Sequence, residues 1–124
     1  MAAREGSDNP EWIKCKKIVD MRDHNMCRCC KVLTPGEMMA FRKSRPGPRG
    51  ELQHAHREPV SLHPDKAHDP MNVALLCPEH HRRIDTFHDP VSGRHISASE
   101  HEQWWGRIME GIEYFDYDAA KALI

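Results

Sequence analysis

The sequence predicts a small α+β domain held together by a metal, with helices at both ends, and three observations carry that expectation. Apolar residues at helical spacing occupy both ends of the chain, while its middle carries short stretches of strand length. At 124 residues the chain is one domain's worth, yet only 39% of it is hydrophobic and 6% aromatic, so its core is thin. Small domains with thin cores commonly need a staple, and five cysteines with ten histidines supply the donors for one.

Residues 1–9 read as a flexible N-terminus and residues 10–124 as a single domain. Asn9-Pro10-Glu11 is a helix start: a capping residue, proline in the first turn and an early acid. Trp12, Cys15, Ile18, Val19 and Arg22 continue the helical period to about residue 23. Cys15 lies on that apolar stripe and reads as a buried thiol rather than a ligand. Thr34-Pro35-Gly36 reads as a turn. MMAFRK (38–43) and ELQHAH (51–56) read as two strands joined by SRPGPRG, although MMAFRK also tolerates a helical turn. Residues 57–71 form a long proline-containing loop, which in a domain this small is functional or tied down. Asn72 to Cys77 is a short apolar segment, and Glu79 to about Phe87 suits a helix. HDPVSG is a turn. Ser99 with Glu102 forms a capping box that opens a C-terminal helical extension over 97–124. Its Trp104, Trp105, Ile108, Met109 and Ile112 have the spacing of core residues rather than of a base-stacking platform.

Formal net charge is −1, but its distribution is uneven. Residues 42–49 carry Arg42, Lys43, Arg45 and Arg49 with no acid among them, while Glu110, Glu113, Asp116 and Asp118 cluster near the end. A near-neutral chain can still present one basic face. MAAREGSDNP contains no apolar run and no stretch reaches the length of a membrane span, so a cytoplasmic location away from membranes is expected. In a reducing compartment cysteines more often bind metal or do chemistry than pair.

Cys27-x-x-Cys30 presents two thiolates on one turn, and Cys77-x-x-His80 offers a second half-site at the same spacing. Together they make a Cys₃His set suited to tetrahedral structural zinc. Cys29 competes for this role, and the two-residue gap favours Cys30 because both sulfurs can then face one ion. If His80 serves the zinc, its neighbour His81 points elsewhere, because adjacent helical residues differ by about 100°. His81 and Asp85 share a helix face and can chelate a second divalent cation. His54 and His56 project from one face if 52–59 is extended, and can meet that pair.

MRDHNMCRCC (21–30), LQHAHREP (52–59) and DPMNVALLCPEHHRRID (69–85) resemble, in this order, the HNH nuclease family of the His-Me finger (ββα-metal) group. The resemblance spans residues 20–88 and implies a ββα-metal core over about 27–88 with the zinc set as its staple. His56 falls on the family's first histidine, Asn72 on its asparagine and His81 on its last histidine. It implies a metal-dependent DNA endonuclease. On that resemblance His56 would be the general base that activates water, and Asn72 would pin the loop that aims His56. His81 would help hold Mg²⁺ or Mn²⁺ at the scissile phosphate, with Asp85 and His54 as further candidate ligands. Arg42, Lys43, Arg45, Arg49, Arg57 and Arg82 are candidate phosphate contacts on double-stranded DNA, read with weak sequence preference. Two positions depart from the family: Ala55 stands where a metal-binding His or Asp often precedes the base, and Asp85 where a further His is common. Ala55 keeps a second reading open, a zinc-stapled nucleic-acid-binding module impaired in catalysis.

Overall fold

The computed structural model describes residues 9–44 and 50–124. Its elements begin with α1 (Pro10–Arg22), opened by Asn9, whose side-chain oxygen accepts from the Glu11 and Trp12 N–H groups at 2.8 and 3.4 Å. Short α2 (Arg28–Val32) and α3 (Pro35–Ser44) follow. Strands β1 (Gln53–His56) and β2 (Val73–Leu76) pair antiparallel, Ala55 opposite Ala74 and His56 opposite Val73. They lead into α4 (Pro78–Asp85), α5 (Ala98–Ile108) and α6 (Tyr117–Ala122). The described residues thus form a small mixed α+β arrangement around one two-stranded sheet. None of their helices is long and apolar enough to cross a membrane.

MMAFRK is not a strand but part of α3, and the partner of β1 is the 73–76 segment. The cause is local. Thr34 Oγ1 accepts from the Glu37 N–H at 3.1 Å, and Glu37 Oε1 accepts from the Thr34 N–H at 2.8 Å. This is a reciprocal capping box with Pro35 as the first helical residue, so Thr34-Pro35-Gly36 starts a helix instead of turning between strands. Glu37 is also gripped by both terminal nitrogens of Arg107, at 3.0 and 2.8 Å, which fixes α3 to α5. The C-terminal capping box likewise differs from the expected Ser99–Glu102. Ser97 and Glu100 form it, entered from buried Ile96. That shift leaves Glu102 to pair with Arg57.

The sheet separates two apolar clusters. Val73 and Leu75 pack with Cys15 and Val19 of α1. Ala55, Ala74 and Leu76 pack with Phe41, Ile84, Trp105 and Ile108. Trp105, Ile108, Met109 and Ile112 are buried as their spacing implied, and Trp104 is half-buried beneath the Arg107 guanidinium at 4.4 Å. Cys15 is buried, with its thiol pushed up to about 12 by desolvation and then by the charge of Asp69.

An ion cluster closes the open side of β2. Asp23, 1% exposed, accepts from Arg22 Nε at 2.7 Å, Arg28 Nη1 at 3.0 Å and the Leu75 N–H at 3.0 Å. Arg22 donates onward to the Pro70 and Val73 carbonyls, and Arg28 to that of Ile108. A buried carboxylate that accepts four hydrogen bonds, a second one coming from Arg22 Nη2 at 3.0 Å, keeps its charge compensated. Here it ties α1, β2 and α5 to one point.

Candidate metal centre and adjoining cleft

Cys27 sits at the N-terminal cap of α2 and Cys77 at that of α4, so each half-site is a loop-to-helix junction that turns Cys30 or His80 back toward it. The ligand atoms of Cys27, Cys30, Cys77 and His80 all lie within 4.8 Å of one another, a group that can hold a metal ion. His80 Nδ1 is 3.5 Å from Cys27 Sγ and 3.4 Å from Cys30 Sγ. A zinc tetrahedron with bonds of about 2.0–2.3 Å has nitrogen–sulfur edges of about 3.5 Å, so the donor set fits zinc in kind and in spacing.

The packing that holds it is tight. His80 is fully buried, and its ring stacks on Phe41 at 3.9 Å, with the Arg83 guanidinium 5.3 Å from the same Phe41 ring. Its Nε2 is buried without a hydrogen-bond partner, the nitrogen that carries the proton when Nδ1 serves as a ligand. Metal-free, the three thiols divide their protons unequally. Hydrogen bonds from Cys27 and then Cys30 hold Cys77 far below the ordinary thiol range, while those that Cys30 shares with Cys27 and then Cys77 push Cys30 far up. Cys27 is drawn down by Cys30, yet its bond to Cys77 and its burial leave it at about 11. Metal binding at such a set displaces the protons that its thiols carry. Cys29 lies outside this group, buried in the apolar core with its thiol pushed up by desolvation.

Helix α4 turns His81 away from this centre, into an open cleft of about 720 Å³ lined also by His54, His56, Asp85, Phe87 and His101. His81 Nδ1 meets Gln53 Oε1 at 2.8 Å, and Nε2 lies 3.0 Å from Asp85 Oδ2. A neutral imidazole has one N–H. Donated to Gln53, it leaves the Nε2 lone pair 3.0 Å from the Asp85 carboxylate. On β1, Ala55 points into the core while His54 and His56 are part-exposed. His56 Nε2 donates to the Ala67 carbonyl at 2.8 Å, and its ring stacks on Trp12 at 5.1 Å. His54 Nε2 contacts Asp20 Oδ1 of α1 at 2.7 Å. Among the described residues, the cysteine-histidine set alone forms a compact group of three or more metal donors. His54 shares the cleft with His81 and Asp85 without closing on them.

Asn72 is buried at the end of the long loop and ties it down. Its Oδ1 accepts from the Glu58 N–H at 2.8 Å, and its Nδ2 donates to the Glu58 and Lys66 carbonyls at 3.1 and 3.2 Å. The Asn72 carbonyl also accepts from the Arg57 N–H, which fixes the chain leaving His56.

Of the basic residues, Arg42 and Lys43 are exposed at the end of α3, and Arg45 and Arg49 lie outside the described residues. Arg57 borders the cleft, paired with Glu102, and Arg82 pairs with Glu79 on α4. Sequence reasoning did not find Asp20, Gln53 or His101. A Gln at the start of a strand and a His on a C-terminal helix carry no local signal, and only the tertiary fold brings them to the cleft. No family model, curated protein or solved structure matches the chain.

Proposed function

We propose that the protein is a metal-dependent DNA endonuclease of the HNH type, with the cysteine-histidine centre as its structural zinc site. The observation that carries this reading is the meeting of His56 with His81 and Asp85 in one cleft, on a β1-β2-α4 run whose β2-α4 junction holds two of the four candidate zinc ligands, Cys77 and His80. His56 is suited to be the base. Its Nε2–H is committed to the Ala67 carbonyl, so Nδ1 carries the lone pair. Nδ1 takes a proton from water, the oxygen forms a bond to phosphorus, and the bond to the leaving sugar oxygen breaks. His81 Nε2 and Asp85 are the protein donors for Mg²⁺ or Mn²⁺, which when bound supplies positive charge for the phosphate and the leaving oxygen. Gln53 fixes the His81 tautomer, as partners of metal-binding histidines commonly do. Asn72 holds the loop that carries Ala67 against His56. Arg57, Arg82, Arg42 and Lys43, with Arg45 and Arg49, serve as phosphate contacts on double-stranded DNA, giving affinity without strong sequence preference. A cytoplasmic location belongs to the same proposal.

One observation favours the second reading, a zinc-stapled nucleic-acid-binding module without cleavage. Ala55 packs in the core and His54 turns to Asp20, so two protein donors remain for the second cation. Nicking of supercoiled DNA with Mg²⁺ or Mn²⁺ separates the two. The endonuclease reading expects nicking that falls by about 10²–10⁴-fold in His56→Ala, with zinc content unchanged. Salt-dependent DNA binding with no cleavage under either metal would leave the binding module. Equal nicking by wild type and variant would remove His56 as the base.

A further inference from the structure

At the rim of the cleft lies an aromatic pair that neither the zinc centre nor the proposed base requires. Phe87 follows α4 two residues after Asp85, with φ at +56°. This is the left-handed region, where a helix ordinarily ends on Gly or Asn. An aromatic side chain is disfavoured there, and such outliers persist where the surrounding structure or a function holds them. Phe87 is not retained by burial, since it is 37% exposed and lines the cleft with His56, His81 and Asp85. Its ring lies parallel to that of His101, at 3.8 Å between centroids and 9° between planes. His101 is held in turn by its Nε2 bond to the Ile84 carbonyl at 2.9 Å, and the Phe87 carbonyl accepts from the Ile96 N–H at 2.9 Å. The result is a flat aromatic surface braced from two sides and open to water. It stands beside the groups assigned to phosphate chemistry. The stack of the cleft residue His56 on Trp12, which does not itself line the cleft, is taken up in holding the base.

We propose that the Phe87–His101 pair is a nucleobase-stacking platform that receives one unpaired base next to the scissile phosphate. This rests on the nuclease reading and narrows its substrate to strands with a base free to leave the stack: single-stranded DNA, or duplex opened at the cut. A paired base has both faces covered by its neighbours and gains nothing from the platform. An unpaired base gains a face, and such contacts change affinity by about 5- to 150-fold per base. His101 comes from α5, beyond the 20–88 stretch that carries the family resemblance, so the C-terminal extension acts here as part of the substrate site.

The test uses zinc-loaded full-length protein without added Mg²⁺, and oligonucleotides carrying the fluorescent base 2-aminopurine, single-stranded or in a matched duplex. Wild type should bind the single strand more tightly than the duplex and quench the probe. Phe87→Asn suits the left-handed backbone, so it should keep or raise the melting temperature. It should weaken single-strand binding by about 5- to 150-fold, lose the quenching and leave duplex binding unchanged. Phe87→Trp should restore binding. Unchanged single-strand affinity in Phe87→Asn, or equal loss on both substrates, would overturn the platform, as would a wild type that binds neither oligonucleotide. Nicking assays on the same preparations keep the two readings apart. Binding and quenching without any cleavage would sink the nuclease and leave the platform. Cleavage with a Phe87→Asn variant that binds like wild type would sink the platform alone.

Discussion

His80 and His81 are neighbours in the chain and opposites in their surroundings. The first is sealed between Phe41 and the cysteine sulfurs, and the second stands in an open cleft between Gln53 and Asp85. One step of about 100° around α4 makes the difference. The two regions differ in what holds them as well. The cysteine centre is an assembly of two helix caps whose three sulfurs and one imidazole lie within 4.8 Å of one another. The cleft is a set of separately anchored side chains. His56 hangs from a loop carbonyl, His54 from α1, His81 from β1, and His101 from α4. Removing a component of the first should therefore collapse the fold, and removing a component of the second should change chemistry and leave the fold standing.

The largest effect belongs to the centre. Cys30→Ser is expected to abolish metal retention and to unfold the protein. Structural zinc is worth about 10–16 kcal/mol in small zinc-dependent folds, against about 5–15 kcal/mol of total stability for a domain. Metal analysis with circular dichroism checks this, and a folded, zinc-bearing Cys30→Ser protein would contradict it. The same centre predicts a pH dependence. Cys27 at about 11 and Cys30 above it keep their protons at neutral pH without metal. Metal binding must then release about two protons, and apparent zinc affinity should fall by about 100-fold per unit as pH drops from 8 to 7. Competition with a chromophoric chelator at several pH values measures the slope, and a flat profile would show that the thiols are already ionised.

Asp23→Ala tests whether metal is the sole device that holds β2 against α1 and α5. It strips Arg22 and Arg28 of their buried partner and exposes the Leu75 N–H. Breaking such a cluster costs about 3–5 kcal/mol, read as a lowered denaturant midpoint in zinc-saturated protein. No loss would mean that zinc alone holds β2 in place. The smallest effect is expected at Glu37, which Arg107 and then the Thr34 backbone hold at about 2, below its ordinary 4.5. Its carboxylate stabilises the fold fully above about 4.5, and that contribution disappears as pH falls through about 2. Glu37→Gln should cost about 0.2–1 kcal/mol at pH 7 and narrow its gap from wild type in acid, measured by paired thermal melts.

The Cys₃His set was legible from sequence because both half-sites are local: a two-residue gap at a helix start brings donors together whatever the rest of the chain does. Helix α1 was legible for the same reason, through Asn9 and Pro10. Where the reading failed, a local signal was present but outweighed. Thr34 and Glu37 form a box that the Pro-Gly pair disguised as a turn, and Ser97-x-x-Glu100 overlaps Ser99-x-x-Glu102, so only the buried Ile96 decides between them. The strand partner of ELQHAH, the Asp23 cluster and the place of His101 in the cleft have no local signature. Each depends on contacts across tens of residues.

The claim that adjacent imidazoles serve separate tasks is tested most directly in His81→Ala, by measuring zinc per chain and Mg²⁺-dependent nicking on the same preparation. Wild-type zinc content with nicking reduced by about 10²-fold or more is the result expected. Loss of zinc together with nicking, or full nicking with zinc retained, would contradict it.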